Sequence, residues 1–257
     1  MIELNTIYNE DCKDTISHME NEMLDLVITS PPYNVDLGNN KNNNTSYNIY
    51  NDNKEHSSYI AWLKEIFYNI YFKLKNGGRV CINIGDGKNG AITTHSDIIT
   101  FMKDIKYVPI TTIIWNKQQV SHRTSWGSWM SPSCPSFPTP FEYILIFGKD
   151  SKKLSYKGDS DITREEFINW SLALWNVVPQ TNQKIIGHPA MFPIEIPHRL
   201  LKLLSYKDAI VYDPFIGSGT TALACKKLNR NYIGSEISEE YCKIAEQRIK
   251  NISGGLF

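Results

Sequence analysis

The feature that most constrains this chain lies in residues 209–236, where an apolar strand, a glycine-bearing turn, a helix and a second strand ending in an acid follow one another. Ala209 to Asp213 reads as the first strand and Tyr232 to Glu236 as the second, with a helix beginning near Thr220 between them. In the turn Asp213-Pro214-Phe215-Ile216-Gly217-Ser218-Gly219-Thr220-Thr221, the glycines permit positive φ and a close approach of backbone to a ligand at the helix N-terminus. Glu236 stands 236 − 213 = 23 residues after Asp213, where a carboxylate can take both hydroxyls of a ribose. A Gly-x-Gly pair alone is often only a tight turn; the acid and the order of elements point to the adenosine-binding half of a Rossmann-like sheet. No Gly-Lys-Ser/Thr follows, which disfavours a phosphate-cradling loop and favours an adenosine cofactor without phosphates.

A second constellation closes another buried strand. Leu24 to Thr29 is uniformly apolar apart from Asp25 and Thr29, and it stops at Ser30-Pro31-Pro32-Tyr33, because prolines cannot donate to a ladder and force an extended exit. The Ser30 hydroxyl and the Pro31 carbonyl can accept hydrogen bonds from an amino group, turning its nitrogen lone pair toward an electrophile. Tyr33 offers a ring for stacking a base, worth roughly 1–3 kcal/mol. A proline-stiffened strand exit with a core tyrosine is the plainer alternative.

Strand and helix alternate elsewhere, as a doubly wound sheet requires. Tyr59 to Leu74 is apolar at helical spacing, and Asn76-Gly77-Gly78 predicts a left-handed cap. Strands are expected at Arg79 to Gly85, Ile110 to Trp115 and Glu142 to Phe147, and helices at Ser96 to Lys106, after Pro193, and at Glu239 to Asn251. Residues 38–58 are asparagine-rich and polar, the pattern of a mobile loop. Residues 116–141 are irregular, and 148–190 look like an insertion outside the sheet.

With 257 residues, 41% hydrophobic and 21% charged, one α/β domain suffices. No run of about 18 apolar residues and no signal-peptide pattern occurs, so a soluble, cytoplasmic protein is expected. Five scattered cysteines suggest neither a disulfide framework nor a metal site. Net charge is zero, but unevenly spread: residues 1–58 hold 3 basic and 10 acidic side chains, leaving 27 − 3 = 24 basic against 27 − 10 = 17 acidic, a surplus of seven. Such a surplus suits contact with phosphates or, equally, a plain solvated surface.

In this combination the residues resemble the amino-methylating (cytosine-N4 and adenine-N6) DNA methyltransferases, in the permuted arrangement where the catalytic motif precedes the cofactor motif. The resemblance covers nearly the whole chain. Ser30, Pro31, Pro32 and Tyr33 look like the catalytic tetrapeptide, Asp213, Pro214, Phe215, Gly217, Ser218, Gly219 and Thr220 like the cofactor loop, and Glu236 like the ribose-binding acid. His188, Pro189 and Phe192 fall in the segment His188 to Pro193 that resembles the surroundings of the cofactor's methionine moiety. The resemblance implies S-adenosylmethionine as cofactor, double-stranded DNA as partner, and a Rossmann-like fold with a seven-stranded mixed sheet containing one antiparallel strand. Only one helix follows Glu236, so Asn5 to Asp11 is expected to supply the next sheet strand, placing Asp11 and Cys12 near the adenine; simple burial is the alternative for Cys12.

Within the family, aspartate or asparagine at the first motif position accompanies many adenine enzymes, whereas serine is usual among cytosine-N4 enzymes. Ser30 thus favours cytosine, with adenine-N6 methylation as the rival and a non-catalytic DNA-binding module as a different class. Serine is a poor general base, so orientation and proximity are expected to do most of the catalysis. Arg123, Trp126 and Trp129 resemble a segment near the flipped base or the DNA, core aromatics being the alternative. Residues 148–187, with Lys149, Lys152, Lys153, Lys157, Arg164 and Lys184, stand where target recognition usually lies. Relatives of this kind serve beside a restriction endonuclease or act alone, as monomer or dimer.

Overall fold

A computed structural model describes residues 2–34, 54–118, 127–179 and 192–252. Its centre is an eight-stranded sheet of β1 Thr6–Tyr8, β2 Leu24–Thr29, β3 Leu74–Ile84, β4 Tyr107–Asn116, β5 Phe141–Lys149, β6 Leu174–Asn176, β7 Ile210–Asp213 and β8 Asn231–Ser235. The spatial order is β1-β8-β7-β2-β3-β5-β4-β6, and every pairing is parallel except those of β5 with β3 and β4. The expected single antiparallel strand is therefore β5, and the N-terminal strand β1 does continue the sheet beyond β8, with Thr6 opposite Ile233.

Helices cover both faces: α1 Cys12–His18, α2 His56–Lys73 and α3 Thr94–Ile105 on one, α5 Glu195–Leu204, α6 Thr220–Lys227 and α7 Glu239–Ile252 on the other, with α4 Arg164–Trp170 packed beside α5. Strand β2 shows why both faces need covering. Val27 joins the core under α2, whereas Leu26 and Ile28 point into the core under α5 and α6, so a strand without polar alternation is buried on both sides. From α2, Tyr59, Leu63, Ile66, Phe67 and Ile70 are all fully buried, each contributing about 1.5–3 kcal/mol relative to exposure.

Four sequence expectations change. The sheet has eight strands rather than seven, because β6 adds an outer strand that pairs in parallel with β4, Ile114 opposite Leu174. Within the expected insertion, residues 174–176 accordingly belong to the sheet, and Trp175, at 1% exposure, anchors β6 in the core, while residues 180–190 lie outside the described residues. Helix α2 ends without a left-handed cap, since Leu74 is extended and already begins β3. Gly77, at φ +72°, instead marks an irregularity in the β2–β3 register, and a Cβ there would lie 2.1 Å from the Lys153 carbonyl oxygen. Finally, of the expected 38–58 loop, residues 38–53 lie outside the described residues, and His56, Ser57 and Ser58 form the first turn of α2. No helix among the described residues is long and apolar enough to cross a membrane.

Candidate active site

Parallel pairing of β2 with β7 sets the two sequence constellations side by side at the C-terminal edge of the sheet, with Val27 opposite Tyr212. One hydrogen bond ties them directly: Thr29 Oγ1, just before the tetrapeptide, donates to Asp213 Oδ1 at 2.7 Å. Thr221 Oγ1 donates to the other oxygen at 2.6 Å and the Phe215 N–H to Oδ1 at 3.1 Å. Asp213 thus fastens β2, the loop and the start of α6 together from a buried position. Burial pushes its carboxyl up to about 6, against those three bonds, which favour the charged form.

The loop it holds is a cradle of backbone. Gly217 and Gly219 have φ of +51° and +82°, in the left-handed region where glycine is unstrained, and Gly219 caps α6. A Cβ on Gly219 would lie 2.7 Å from Ala245 Cβ, so α7 also requires glycine there. Ser218 is buried, and Arg248 of α7 donates to its hydroxyl at 2.8 Å and to its carbonyl. Pro214 is buried, Phe215 half-buried against Trp62 of α2 with ring centroids 5.4 Å apart, and Thr220 buried at the first position of α6.

Glu236 follows β8 at the same edge. Its Oε2 accepts the Gly217 N–H at 3.1 Å and its Oε1 the Ser238 N–H at 2.8 Å, while its own N–H donates to the Tyr8 carbonyl at 3.0 Å. A carboxylate has about four acceptor positions, so each oxygen keeps capacity for a hydroxyl. Desolvation raises its carboxyl above the ordinary range. Asp11 and Cys12 lie just beyond β1 on this side: Asp11 is exposed and caps α1 through the Lys13 N–H at 2.9 Å, and Cys12 is buried with its thiol pushed up by burial. Phe192 is half-buried ahead of α5, packed on the core shared by α5 and α6.

At the tetrapeptide, Pro31 is buried, while Ser30, Pro32 and Tyr33 are partly exposed. Ser30 Oγ and Tyr33 Oη are 3.1 Å apart. Tyr33 Oη donates to Glu142 Oε2 at 2.7 Å and accepts from Asn83 Nδ2 at 2.7 Å; Asn83 Nδ2 also donates to Glu142 Oε2 at 2.7 Å. Lys117 Nζ pairs with Glu142 Oε1. These three partners were not singled out from the sequence. They meet because β5 runs against its neighbours, so its first residues, Glu142 among them, arrive at the edge where β2 and β3 end. An asparagine inside the apolar run of β3 and an acid opening the apolar run of β5 are the signals that mark them, since buried polar groups require partners.

Of the remaining sequence candidates, Trp129 is 65% exposed in a turn closed by a Gly127–Pro135 bridge, an orientation that excludes the core-aromatic alternative for this residue. Arg123, Trp126, His188 and Pro189 lie outside the described residues.

Comparison with known proteins identifies the family. A DNA methylase family model, covering N6- and N4-directed enzymes, matches residues 24–247. A type II methyltransferase of Methanocaldococcus jannaschii, M.MjaVI, is 38% identical over 70% of this chain and 89% of its own length. A second from the same organism, M.MjaI, is 32% identical over 91% of this chain and 88% of its own. Among solved structures, a DNA modification methylase of Thermus thermophilus complexed with S-adenosyl-L-methionine is 22% identical, with a TM-score of 0.74 over 97% of this chain and 95% of that one. The cytosine-N4-specific PvuII DNA methyltransferase, 20% identical, covers 97% of this chain and 90% of its own with a TM-score of 0.70. The chain belongs to the DNA methylase family, whose members methylate the N6 or N4 amino group of a base.

Proposed function

We propose that the protein transfers a methyl group from S-adenosylmethionine to the N4 amino group of cytosine in duplex DNA. The cofactor fits the residues present. The cradle of Gly217 to Thr220 is backbone, the acids Asp213 and Glu236 flank it, and Arg248 is engaged with Ser218, a setting that disfavours phosphates and accepts an uncharged ribose and a cationic sulfonium. When bound, the cofactor supplies an electrophilic methyl group. Glu236 would hold the ribose hydroxyls, Asp11 and Cys12 would border the adenine, and the loop Asp213 to Thr220, with Phe192, His188 and Pro189, would enclose the rest.

The observation that favours cytosine is the neutral hydroxyl of Ser30 at the head of the motif, half-buried and bonded to Tyr33 rather than to a base. With the Pro31 carbonyl it can accept both amino N–H groups and hold the nitrogen lone pair outward. Catalysis then rests on placement, with the proton leaving the nitrogen during or after transfer. The target must leave the duplex to reach this edge, at a cost of a few kcal/mol, and the exposed Trp129 with Arg123 and Trp126 would face the DNA. Relatives that include type II methyltransferases and an orphan enzyme of Bacillus amyloliquefaciens, 30% identical, support a role beside a restriction endonuclease or alone.

Expression in a host without DNA methylation, digestion to nucleosides and mass spectrometry tests the base. N4-methylcytosine is the expected product, and N6-methyladenine alone would reject cytosine. Modification-sensitive sequencing of the same DNA reads the site.

A further inference from the structure

Glu142 sits 109 residues from Tyr33 in the chain, yet its carboxylate sets the direction of the hydrogen bond between Tyr33 and Ser30. A carboxylate cannot donate. Tyr33 has one hydroxyl proton, and with Glu142 Oε2 at 2.7 Å that proton is committed. Toward Ser30, 3.1 Å away, Tyr33 Oη can only accept, so Ser30 must donate its own proton inward. What Ser30 then presents to the substrate is a pair of lone pairs and no proton.

The flanking residues enforce the same direction. Asn83 is 4% exposed and turns its amide nitrogen to both Tyr33 Oη and Glu142 Oε2, leaving its buried Oδ1 without a partner. Reversing that amide would satisfy nothing: Oδ1 would stand against a carboxylate oxygen, acceptor to acceptor. An orphaned buried acceptor costs about 1–3 kcal/mol, so this orientation answers to the negative charge beside it. Lys117, a donor only, occupies Glu142 Oε1.

We infer that Glu142 is a positioning residue that fixes Ser30 as an obligate hydrogen-bond acceptor, and that it thereby restricts the pocket to bases bearing an exocyclic amino group. A base with a carbonyl at that position brings an acceptor against an acceptor. This inference rests on the amino-methylation proposed above and goes further, by assigning base discrimination to a residue outside the motif. It also identifies an informative substitution. In Glu142→Gln, Lys117 still requires an acceptor, so the new amide turns its oxygen to Lys117 and its NH2 group to Tyr33. Asn83 can then rotate and use its idle Oδ1. Tyr33 has a single proton, which residue 142 no longer claims: given to Ser30, at the loss of the Tyr33–Asn83 bond, it leaves Ser30 free to donate outward, so Ser30 ceases to be an obligate acceptor.

The test uses the full chain with S-adenosylhomocysteine and duplexes carrying the methylated site. The target is cytosine or uracil, each opposite an abasic position so that pairing does not differ. The wild type is expected to bind the cytosine duplex about tenfold or more tightly than the uracil duplex, the scale of one mismatched buried polar contact. Glu142→Gln is expected to bring that ratio to within about threefold and to slow methyl transfer at least tenfold. If Glu142→Gln does not fold, Tyr33→Phe, which leaves Glu142 bonded to Asn83 and Lys117, is expected to narrow the ratio in the same way. A wild-type ratio near one, or a variant that folds and keeps the wild-type ratio, would overturn the inference. Should the wild type methylate adenine, the same comparison runs with adenine against hypoxanthine. A wild type that methylates neither base overturns the proposed function itself, an outcome distinct from methylation with unchanged discrimination in the variants.

Discussion

At the scale of single residues, Asp213 couples the site to the stability of the protein. Its folded carboxyl titrates at about 6, above the ordinary value near 4, because burial outweighs its three hydrogen bonds. Between about pH 4 and 6 the folded protein therefore retains a proton that the unfolded chain has released, so this residue's contribution to stability is present below pH 4 and is lost as pH rises through 6, by at most about 3 kcal/mol. Asp213→Asn keeps an acceptor for Thr29 and the Phe215 N–H and offers an amide to Thr221. Urea unfolding should show the variant gaining about 1–3 kcal/mol on the wild type between pH 4 and 7.5, and parallel curves would mean that the carboxylate carries no such cost. Which residues could be read in advance follows from their spacing. Ser30 to Tyr33 and Asp213 to Thr220 are contiguous, each with a chemistry stated by its neighbours. Glu142, Asn83 and Lys117 are each an isolated polar residue within or beside an apolar run, and only the sheet brings them together.

At the scale of elements, α7 turns out to shape the glycine loop, a role that no periodicity announces. Ala245 abuts Gly219 and Arg248 bonds to Ser218, so the loop is clasped from behind by a helix that follows it. Arg248→Ala should weaken S-adenosylmethionine binding about tenfold by calorimetry, since charged hydrogen bonds are worth about 1.5–3 kcal/mol. Unchanged affinity would show that the glycines hold their shape without help. Strand and helix positions were legible because parallel strands and amphipathic helices carry distinct patterns, as in Leu24–Thr29 and His56–Lys73. Boundaries were less so. The Asn76-Gly77-Gly78 run has the composition of a helix cap, yet it serves a register irregularity, and the three residues of β6 are too few for a period to show.

At the scale of the whole molecule, the sheet is completed by strands from opposite ends of the described chain. Beyond their ladder, β1 and β8 share the bonds of Glu236 N–H to Tyr8 and of Asn9 Nδ2 to the Glu236 carbonyl at 2.9 Å. Deleting residues 2–10 should therefore lower the melting temperature and the cofactor affinity together, because the same contacts hold the edge strand and orient the acid. Calorimetry showing full affinity in a folded, shortened protein would separate the two. The permuted order was legible because Ser30 to Tyr33 precedes Asp213 to Gly219 in the chain, and β1 takes the place beside β8 that this order implies.

The Thr29–Asp213 hydrogen bond joins groups 184 residues apart, and this has a practical consequence. A chain divided between Pro179 and Phe192 yields one piece bearing the tetrapeptide with Glu142 and another bearing the glycine loop with Glu236. Neither piece has both. Fused to two other proteins, the pieces are expected to deposit more methyl groups on DNA where those proteins meet, turning a passing encounter into a written record that sequencing can recover.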